Sequence, residues 1–574
     1  MNGRDSALAP AYDYIVIGAG SAGCAVASRL AEDASVTVAL LEAGPDDHHF
    51  SVWTPIGLAG IVPKAGPRNY AYHTEPQAGL DGRRSYQPRG RGLGGSSSIN
   101  GMVYIRGHRA DYDEWANLGC TGWSFDDVLP YFRRSEQNQR HTGRDDDCWH
   151  GGSGPLHVSD LRTPNPFSDR FVQAALQAGL PLNHDFNGKE QEGAGLYQVT
   201  QYNGERWNTA RAYLHRGNAK DLAHNGGRKG LTVLTETQAL RLVFEGKRVA
   251  GVDVMRAGVA QTLRARREVI VSGGAFNSPQ LLMASGIGPA AHLREHGIAV
   301  IHDLPGVGEN LQDHLDIIVN KQVPSLDLYG YSARGALRLA GEILRYRRER
   351  TGMVASNFAE AGAFVKSRPD LPIPDVQLAF ILAMLGNRNM AQRRKLGHGY
   401  SCHAYILRPQ SRGHVRLRST DMRDAPLIDP RFLSAEADMD ALVAGVRMVR
   451  RIFAQPALAE AGGKELLTDD FGPDSSNEDA IRAYIRAHAD SVYHPVGTCK
   501  MGTDAMAVVD PNLRVHGIDG LRVVDASIMP TLIGGNTNAP AIMIGEKAAD
   551  LIRATTRSPG VATREPQSIA RAES

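Results

Sequence analysis

Apolar positions follow two different patterns along the chain, and each pattern predicts its own kind of structure. Near the start, the continuous apolar run Tyr14–Ile17 predicts a buried strand, the Ala-rich stretch Cys24–Glu32 a helix, and Val36–Leu41 a second strand. In mid-chain, β-rich runs between residues 231 and 256 precede another predicted strand at Glu268–Ser272. Strands that alternate with helices are typical of a parallel sheet with helices on its faces.

Start signals predict further helices. Residues 273–288 predict a turn, a helix and a turn, with Ser278 as the helix cap and Pro279 in the first helical turn. Ser124 is a predicted cap ahead of an apolar run, and Pro540 opens the last helix of the chain.

Alternation of apolar and polar residues is the second pattern. It occurs at 375–380, 400–407 and 412–418 and predicts an antiparallel sheet. We therefore predict a fold of α/β and α+β class, in which a Rossmann-like nucleotide-binding domain is interleaved with a substrate domain built on an antiparallel sheet with helices. The predicted boundaries are 12–160, 225–314 and 491–554 for the nucleotide-binding domain, 161–224 and 315–490 for the substrate domain, and 1–11 and 555–574 for flexible termini.

One predicted helix, Arg334–Arg350, combines a basic face with apolar residues. It carries six Arg and two Glu, together with Leu337, Ile343 and Leu344. Two interpretations stay open: a surface helix whose charges are solvated, or a helix that contacts an anionic membrane surface.

A glycine motif joins the first predicted strand to its helix. Gly18, Gly20 and Gly23 permit a tight turn, a close approach of the backbone to a pyrophosphate, and close packing of helix on strand. The helix N-terminus supplies free N–H groups and a partial positive charge for phosphates. Glu42, at the end of the second strand, is placed to bond the two hydroxyls of an adenosine ribose. The motif predicts a dinucleotide, either NAD or FAD.

A second run of small residues spans positions 88–101. Its glycines and serines expose backbone amides and hydroxyls, as a loop pressed against a flat polar ligand requires. A flexible linker is the alternative interpretation. Linkers seldom hold Leu93, Ile99 and Asn100 between glycines, so we predict that this loop contacts a ligand.

Composition restricts the class of protein and its partners. The 574 residues are 42% hydrophobic and 22% charged, as in ordinary globular proteins. With 64 Lys and Arg against 62 Asp and Glu, no overall field would attract nucleic acid. Five scattered cysteines without a CxxC pair argue against a disulfide framework and a structural metal site. Because no signal peptide or membrane-spanning run occurs, we predict a cytoplasmic protein, or one held peripherally on the inner face of the cell membrane.

Motifs point to redox chemistry carried by a cofactor. No GxSxG elbow, Walker A loop or HExxH motif is present. From Tyr12 to about Ile552, the chain resembles the FAD-dependent glucose–methanol–choline (GMC) oxidoreductases. The resemblance is carried by GAGSAG at 18–23, the loop 90–100, and the stretches 274–288, 306–314, 494–498 and 524–530. Within the family, the chain is most similar to bacterial dehydrogenases of aliphatic primary alcohols, including alkane-pathway and polyethylene-glycol-pathway enzymes, and to choline dehydrogenases.

The resemblance implies FAD as the cofactor and assigns its contacts. Ala239 matches the position whose backbone meets the adenine, and Ile99 matches the position at which some members tether the flavin through a His. Noncovalent FAD is therefore implied. The full set of implied cofactor contacts is Gly18, Gly20, Gly23, Glu42, Arg91, Gly95, Ser97, Asn100, Met102, Val103, Ala239, Asp525, Ala526, Asn536, Thr537 and Asn538.

The resemblance also implies two catalytic residues, His494 and Asn536. His494 matches the group that accepts the proton of the alcohol, and a pKa near 6.5 suits a histidine to that task. Asn536 matches a position that is His or Asn in the family, and its amide would bond the alcohol oxygen. The helix that opens near Pro540 would point its N-terminus at the pyrimidine ring of the flavin and stabilise the negative charge of the reduced form.

The implied reaction is the oxidation of a primary alcohol to the aldehyde, with hydride transfer to flavin N5 and electrons passed to a quinone or a dye. The alternatives are an oxidase that uses O₂ and releases H₂O₂, a choline dehydrogenase and, more remotely, a flavin-containing hydroxynitrile lyase. The apolar run Phe380–Leu385 favours an uncharged or apolar alcohol. The basic Arg334–Arg350 segment favours an acceptor at a membrane. No oligomeric state is predicted.

Overall fold

The computed structural model describes residues 11–144, 146–215, 225–385, 397–466 and 477–557. None of the helices in these ranges has the length and apolar character needed to cross a bilayer. The α-helices of this part of the chain are α1 (Ser21–Leu30), α2 (Phe50–Trp53), α3 (Leu58–Ile61), α4 (Arg109–Asn117), α5 (Phe125–Ser135), α6 (Pro166–Gln177), α7 (Gly274–Ala284), α8 (Ala290–Glu295), α9 (Ala333–Glu349), α10 (Glu436–Phe453), α11 (Pro456–Ala459), α12 (Glu478–His488) and α13 (Asn538–Arg557).

The strands form two large sheets and several two-stranded ribbons. In chain order they are β1 (Ala11–Ile17), β2 (Val38–Leu41), β3 (Tyr72–His73), β4 (Tyr86–Gln87), β5 (Glu136–Asn138), β6 (Leu156–Val158), β7 (Gly193–Leu196), β8 (Gln201–Tyr202), β9 (Glu205–Arg206), β10 (Leu231–Leu234), β11 (Thr237–Glu245), β12 (Arg248–Arg256), β13 (Val259–Val271), β14 (Ile287–Gly288), β15 (His302–Asp303), β16 (Leu315–Gln322), β17 (Gly330–Tyr331), β18 (Ala359–Val365), β19 (Val376–Ile381), β20 (Gly397–Ile406), β21 (His414–Arg416), β22 (Leu427–Asp429), β23 (Lys464–Leu466), β24 (Asp490–Ser491) and β25 (Leu521–Val523).

The first large sheet has the strand order β10-β2-β1-β13-β12-β11, and β25 pairs with β13. Its centre is parallel, because β1 pairs in parallel with both β2 and β13. Apolar residues on both faces of these strands are buried, as expected where helices cover a parallel sheet. Helices α1 and α13 pack closely, and a Cβ at Gly545 would lie 2.4 Å from the carbonyl oxygen of Ala22.

The second large sheet is antiparallel, with the order β23-β16-β20-β19-β18-β7; β17 and β24 pair with β20 and β16. Alternate residues of its strands point to opposite faces. On β16, Leu315, Ile317 and Val319 join a core that includes residues of α6, α10 and α12. Asp316 and Ile318 face a cavity instead. The predicted fold class is confirmed: a parallel nucleotide-type sheet and an antiparallel sheet with helices.

The domain boundaries stay a prediction, although the strands are distributed as that prediction requires. All strands of the first sheet lie in segments predicted for the nucleotide-binding domain, except that β1 begins one residue earlier, at Ala11, which was predicted to belong to the flexible N-terminus. All strands of the second sheet lie in segments predicted for the substrate domain, except that β24 ends one residue beyond, at Ser491. Residues 1–10, 216–224 and 558–574 lie outside the described residues.

Two predicted helix starts are wrong, and one is confirmed. Helix α7 begins at Gly274, so Ser278 is not its cap and Pro279 lies inside the helix. The carbonyl of Ala275, which a proline four residues later leaves without an N–H donor, accepts a hydrogen bond of 2.6 Å from Thr498 Oγ1. Ser124 does cap α5.

Helix α13 begins at Asn538, two residues before Pro540, and it continues to Arg557. Residues 555–557 of the predicted flexible tail are therefore helical.

Two strand predictions also need correction. The run 412–418 contributes β21, which pairs with β22 in a separate ribbon and is not part of the antiparallel sheet. Conversely, β7 has the sequence Gly-Ala-Gly-Leu and carries no alternation signal, yet it pairs with β18 at the edge of that sheet. Tertiary pairing, rather than local pattern, decides both cases.

Candidate active site

A cavity of about 980 Å³ extends between the two large sheets. At one end it is lined by Ile17, Leu41 and Val271, the last residues of three parallel strands. Ligands of open α/β sheets bind at this edge, beyond the carboxyl ends of the strands. At the other end it is lined by alternate residues of β16, β19 and β20. The volume is at the upper end of the range of about 300–1,000 Å³ for ligand pockets.

The glycine motif shapes the strand end of this cavity. Gly18 has φ +102°, and a Cβ there would lie 2.4 Å from the carbonyl oxygen of Ser272. A Cβ at Gly23 would lie 1.9 Å from the carbonyl oxygen of Gly18, so this glycine allows helix α1 to pack on its strand. Gly20 faces open space with nothing within 4 Å of a Cβ. A phosphate can therefore approach the backbone at Gly20 and the N-terminus of α1.

Glu42 organises the loops around this end. Its carboxylate accepts hydrogen bonds from the backbone N–H groups of Ala19 at 3.1 Å, Gly44 at 2.8 Å and Gly92 at 2.9 Å. Burial raises the pKa of the carboxyl group. A carboxylate offers about four acceptor positions, so one is left for a ligand. The predicted bond to a ribose stays a prediction.

Most of the cofactor residues implied by the sequence lie on this one cavity. Three do not line it. Ser97 donates to the carbonyl of Gly94 at 2.6 Å, Arg91 donates to the carbonyl of Ala43 at 2.9 Å, and Gly23 has the packing role given above. Those that line it are Gly18, Gly20, Glu42, Gly95, Asn100, Met102, Val103, Ala239, Asp525, Ala526, Asn536, Thr537 and Asn538.

Two further contacts fix helix ends at the cavity. Asp525 accepts hydrogen bonds from Gly274 N at 2.8 Å and Ser278 Oγ at 2.6 Å, which anchors the start of α7. Asn538, the first residue of α13, accepts from Ser21 Oγ at 2.7 Å. The N-termini of α1 and α13 both face the cavity, so two positive helix ends point into it. Together with the open backbone at Gly20 and the carboxylate of Glu42, they fit a dinucleotide.

His494 lines the same cavity, and its backbone is held by a buried carboxylate. Asp313 accepts a hydrogen bond from His494 N at 2.8 Å and further ones from Ser491 Oγ and Gln87 Nε2. The preceding residue, Tyr493, has φ +73°, a left-handed conformation that is strained for a non-glycine residue. This local backbone turns the His494 ring into the cavity.

A chain of hydrogen bonds determines the tautomer of His494. His314 Nε2 lies 3.1 Å from the carbonyl oxygen of Leu407 and must donate to it. His314 Nδ1 therefore accepts, and its partner at 2.9 Å is His494 Nδ1, which must carry the proton. The Nε2 atom of a neutral His494 is then left with a lone pair, and Asn536 Nδ2 donates to it at 3.2 Å.

Electrostatics keep both rings neutral. Burial, the neighbouring His314 and the guanidinium of Arg89 hold the pKa of His494 well below its usual value. Burial lowers the pKa of His314 to about 3. A neutral His494 whose Nε2 lone pair faces the cavity is the form that accepts a proton.

Residues of the antiparallel sheet complete the surroundings of His494 and Asn536. Gln377 Nε2 donates to Tyr197 Oη at 3.1 Å and lies 3.5 Å from Asn536 Oδ1. The ring of Tyr405 lies 6.2 Å from that of His494. The two side chains implied by the resemblance are therefore in contact with each other and with the sheet.

Comparison with known proteins decides the family. The GMC oxidoreductase family models match residues 12–316 and 409–545. The chain is a GMC oxidoreductase. It is 45% identical over 547 residues to the alcohol dehydrogenase [acceptor] of Pseudomonas putida (94% of this chain, 95% of the relative). It is 44% identical to the mitochondrial choline dehydrogenase of Homo sapiens (94% and 90%).

A solved structure has the same fold. The crystal structure of pyridoxine 4-oxidase from Mesorbium loti superposes with a TM-score of 0.82 at 30% identity, covering 95% of this chain and 99% of that one. The cofactor of this GMC oxidoreductase is FAD, as the resemblance implied. The enzyme belongs with family members that act on alcohols or on choline.

Sequence reasoning missed several residues of this GMC site. His314 and Asp313 lie in a stretch that carried the family resemblance, but nothing in it indicated contact with His494. Gln377 and Tyr405 lie on strands predicted by alternation. Alternation separates the two faces of a strand, but it does not identify the one that faces a cavity.

Three side chains form a polar cluster that bears on the prediction that there is no structural metal site. The potential ligand atoms of Asp47, His48 and His215 lie within 4.8 Å of one another. Asp47 Oδ1 lies 2.8 Å from His215 Nε2, and Asn208 Nδ2 donates to Asp47 Oδ2 at 3.1 Å. Hydrogen bonds thus engage both carboxylate oxygens and join two distant segments of the chain.

Proposed function

We propose that the protein is an FAD-dependent alcohol dehydrogenase that oxidises a primary alcohol to the aldehyde and passes the electrons to an acceptor other than oxygen. The observation that carries this proposal is the neutral His494 with its Nε2 lone pair beside the amide of Asn536. Similarity to the alcohol dehydrogenase [acceptor] of Pseudomonas putida supports it.

The two side chains have different tasks in this reaction. His494 accepts the hydroxyl proton at Nε2 while Nδ1–H stays bonded to His314, so the ring keeps its orientation. The Nδ2 amide of Asn536 turns from His494 to the alcohol oxygen and stabilises the developing negative charge. Bound FAD, held noncovalently because Ile99 replaces a tethering histidine, supplies the hydride acceptor for the carbinol carbon.

The wall opposite the predicted nucleotide end favours an aliphatic alcohol. Of the run Phe380–Leu385, the side chains of Ile381, Ala383, Met384 and Leu385 line the cavity, whereas Phe380 and Leu382 are buried in the core. Apolar lining favours an alkyl chain over a charged substrate. Choline is the alternative substrate, supported by the choline dehydrogenases among the relatives.

Anaerobic reduction of the flavin across aliphatic, aromatic and choline-like alcohols tests this function. We expect aliphatic primary alcohols to bleach the flavin absorbance fastest. Dye reduction under argon that exceeds peroxide formation in air supports the dehydrogenase, whereas the reverse supports the oxidase. A flavin that no alcohol bleaches would rule out alcohol oxidation and leave the lyase.

Helix α9 supports an acceptor at a membrane, and we propose it as a peripheral membrane contact. Tyr346 is its only buried side chain, whereas Leu337 is 77% exposed, Leu344 56% and Ile343 45%. Among the described residues, Arg334, Arg347 and Arg348 make no ion pair. Exposed apolar side chains flanked by unpaired cations match an anionic bilayer surface. Tyr331 and Leu339, before and within α9, line the cavity, so its mouth would face the lipid.

Co-sedimentation with vesicles tests this contact. Substituting Leu337 and Leu344 by Ser should weaken binding to vesicles that contain anionic lipid by about tenfold or more, because each leucine loses the burial of an apolar side chain. Leu182→Ser, at an exposed leucine elsewhere on the molecule, is the matched control. Equal binding by all variants would rule out α9 as the contact.

A further inference from the structure

Arg206, the last residue of β9, carries a buried positive charge that no carboxylate neutralises. The residue is 0% exposed. Burial lowers the pKa of its guanidinium to about 9, and no charged neighbour among the described residues acts on that pKa. The side chain is therefore still a cation at neutral pH.

Two other deeply buried arginines show how such a charge is usually held. Arg106 is 1% exposed, and its Nη2 lies 2.6 Å from Glu136 Oε2. Arg522 is also 1% exposed, and its Nε lies 2.5 Å from Glu268 Oε2. An isolated buried charge is costly unless it is paired. Arg206 therefore needs a counter-charge that the described part of the chain does not supply.

The acceptors that hold the Arg206 guanidinium are all neutral. Its Nε donates to the carbonyl of Val52 at 2.9 Å. Its Nη1 donates to the carbonyl of Ser97 at 3.1 Å and to Asn100 Oδ1 at 2.7 Å. Its Nη2 is buried and has no hydrogen-bond partner among the described residues. Arg206 thus joins α2 to the loop 88–101, which carries the implied cofactor contacts.

The contact with Arg206 determines the orientation of the Asn100 amide. A guanidinium can only donate hydrogen bonds, so the amide atom that faces it must be Oδ1. Met102 N donates to the same oxygen at 3.1 Å. Asn100 lines the cavity, and its Nδ2 donates to no residue that the structure describes, so it is left for a ligand. Hydrogen bonds polarise one another, so a cation bound at Oδ1 makes Nδ2 a stronger donor.

We infer that Arg206 is a positioning residue that acts on the bound flavin through Asn100: it orients and polarises the amide, which then stabilises the negative charge of the reduced cofactor. The resemblance implies Asn100 as a cofactor contact, and the neighbouring Ile99 matches the position at which some family members tether the flavin. Charges interact strongly in a water-excluded interior, and bound FAD supplies the negative charge that Arg206 lacks within the described chain. The inference holds whichever alcohol the enzyme oxidises.

The test measures the equilibrium between oxidised and reduced flavin in the holoenzyme, under argon and against a redox dye of known potential. Arg206→Met removes the charge and keeps an unbranched side chain. It should lower the ratio of reduced to oxidised flavin at a given potential by about tenfold, as expected for the loss of a charged hydrogen bond, which is a fall of about 30 mV for a two-electron couple. Arg206→Lys, which keeps the charge, should stay within about threefold of the wild type.

Asn100→Ala tests whether the amide transmits the effect. This variant keeps the contacts of Arg206 with Val52 and Ser97, and it should lower the same ratio by about tenfold. Adding Arg206→Met to it should change the ratio by less than about twofold, because the two side chains act as one unit. If Arg206→Met does not retain FAD, Asn100→Ala decides alone, and an unchanged ratio in that variant would overturn the inference.

The matched control is Arg211→Met, five residues along the chain. Arg211 is 6% exposed, and its Nη1 donates to the carbonyl of Arg206 at 2.9 Å. Unlike Arg206, it has a carboxylate partner, Glu205, at 3.1 Å. Its guanidinium also lies over the rings of Trp53 and Trp207. Its replacement should lower the melting temperature but leave the flavin equilibrium within about twofold, because its charge is already neutralised.

Three further results would overturn the role of Arg206. An unchanged flavin ratio in Arg206→Met with a lower melting temperature would make the residue a structural tie between α2 and the loop. An equal fall in Arg206→Met and Arg206→Lys would assign the effect to the shape of the guanidinium and not to its charge. An equal fall in Arg211→Met would assign it to a general disturbance of the segment.

Discussion

The two large sheets contribute to one cavity in different ways. The parallel sheet contributes mainly backbone: glycines without Cβ atoms, the N-termini of α1 and α13, and strand ends. The antiparallel sheet contributes side chains, Gln377, His403 and Tyr405 among them, from alternate positions of its strands. The backbone contacts of the parallel sheet suit a ligand group whose chemistry does not vary. The side chains of the antiparallel sheet can instead be substituted one at a time.

The difference has a physical basis. Backbone N–H groups and helix dipoles recognise phosphate whatever the surrounding side chains are, provided that nothing blocks the approach. A general base and a substrate wall instead depend on the identity and protonation state of individual groups. Substitutions in the parallel sheet should therefore affect cofactor content, and substitutions at the antiparallel sheet should affect rate or specificity with the cofactor retained.

The largest effect is expected at Gly18. In Gly18→Ala, the new Cβ would lie 2.4 Å from the carbonyl oxygen of Ser272 at a φ of +102°, so the turn must shift and bound FAD should be lost with nearly all activity. The ratio of flavin to protein after purification measures this. Gly258→Ala is the control, since Gly258 also has positive φ (+79°) but has nothing within 4 Å of a Cβ; it should cost about 1 kcal/mol of strain and keep the flavin.

The next effect is expected at His494. His494→Ala removes the proton acceptor and should slow flavin reduction by the alcohol by about 10²–10⁴-fold. Flavin content should stay at the wild-type value, because the glycine motif and the N-terminus of α1, which fit the phosphates, do not depend on the His494 side chain. Stopped-flow reduction under argon measures the rate, with His516→Ala outside the cavity as a control. A rate close to that of the wild type would disprove the role of His494 as base.

A smaller effect is expected at His314, a positioning residue. His314→Leu removes the acceptor of His494 Nδ1–H, so the ring loses its fixed tautomer and kcat should fall by about tenfold with little change in KM. Removing His314 also removes one cause of the lowered pKa of His494, so the acid limb of the rate profile should move to higher pH. His314→Gln, which restores an acceptor, should recover part of the rate. A loss of thermal stability with an unchanged pH profile would indicate a purely structural role.

The smallest effect is expected when the pH of the wild-type reaction is changed. Because burial, His314 and Arg89 lower the pKa of His494, its neutral form persists below the usual histidine range as pH falls. The rate of flavin reduction should therefore change by less than about twofold between pH 6 and 8. An acid limb centred near pH 6.5 in the wild type would contradict this electrostatic account.

Local signals predicted much of the parallel sheet and little of the substrate wall. The turn from Gly18 to Gly23 and the cap at Ser124 depend on neighbours in sequence, and both occur as predicted. The start of α7 differs from the prediction. Thr498, more than two hundred residues away in sequence, donates a hydrogen bond to the carbonyl of Ala275, which Pro279 leaves without an N–H donor. The strand β7 was missed because pairing with β18, rather than its own composition, makes it a strand.

The sequence by itself determined the nucleotide-binding fold, the family, the cofactor and the identity of His494 as a candidate base. Short-range sterics restrict the choice of residue in the glycine motif, which predicted the nucleotide-binding fold. The family, the cofactor and the candidate base were implied by the resemblance that the contiguous motifs carry. Only the tertiary structure placed His314 against His494, and Asp316 and His403 on the cavity wall. Strand register and the choice of the buried face bring these side chains together over long separations in sequence, and no local pattern encodes either.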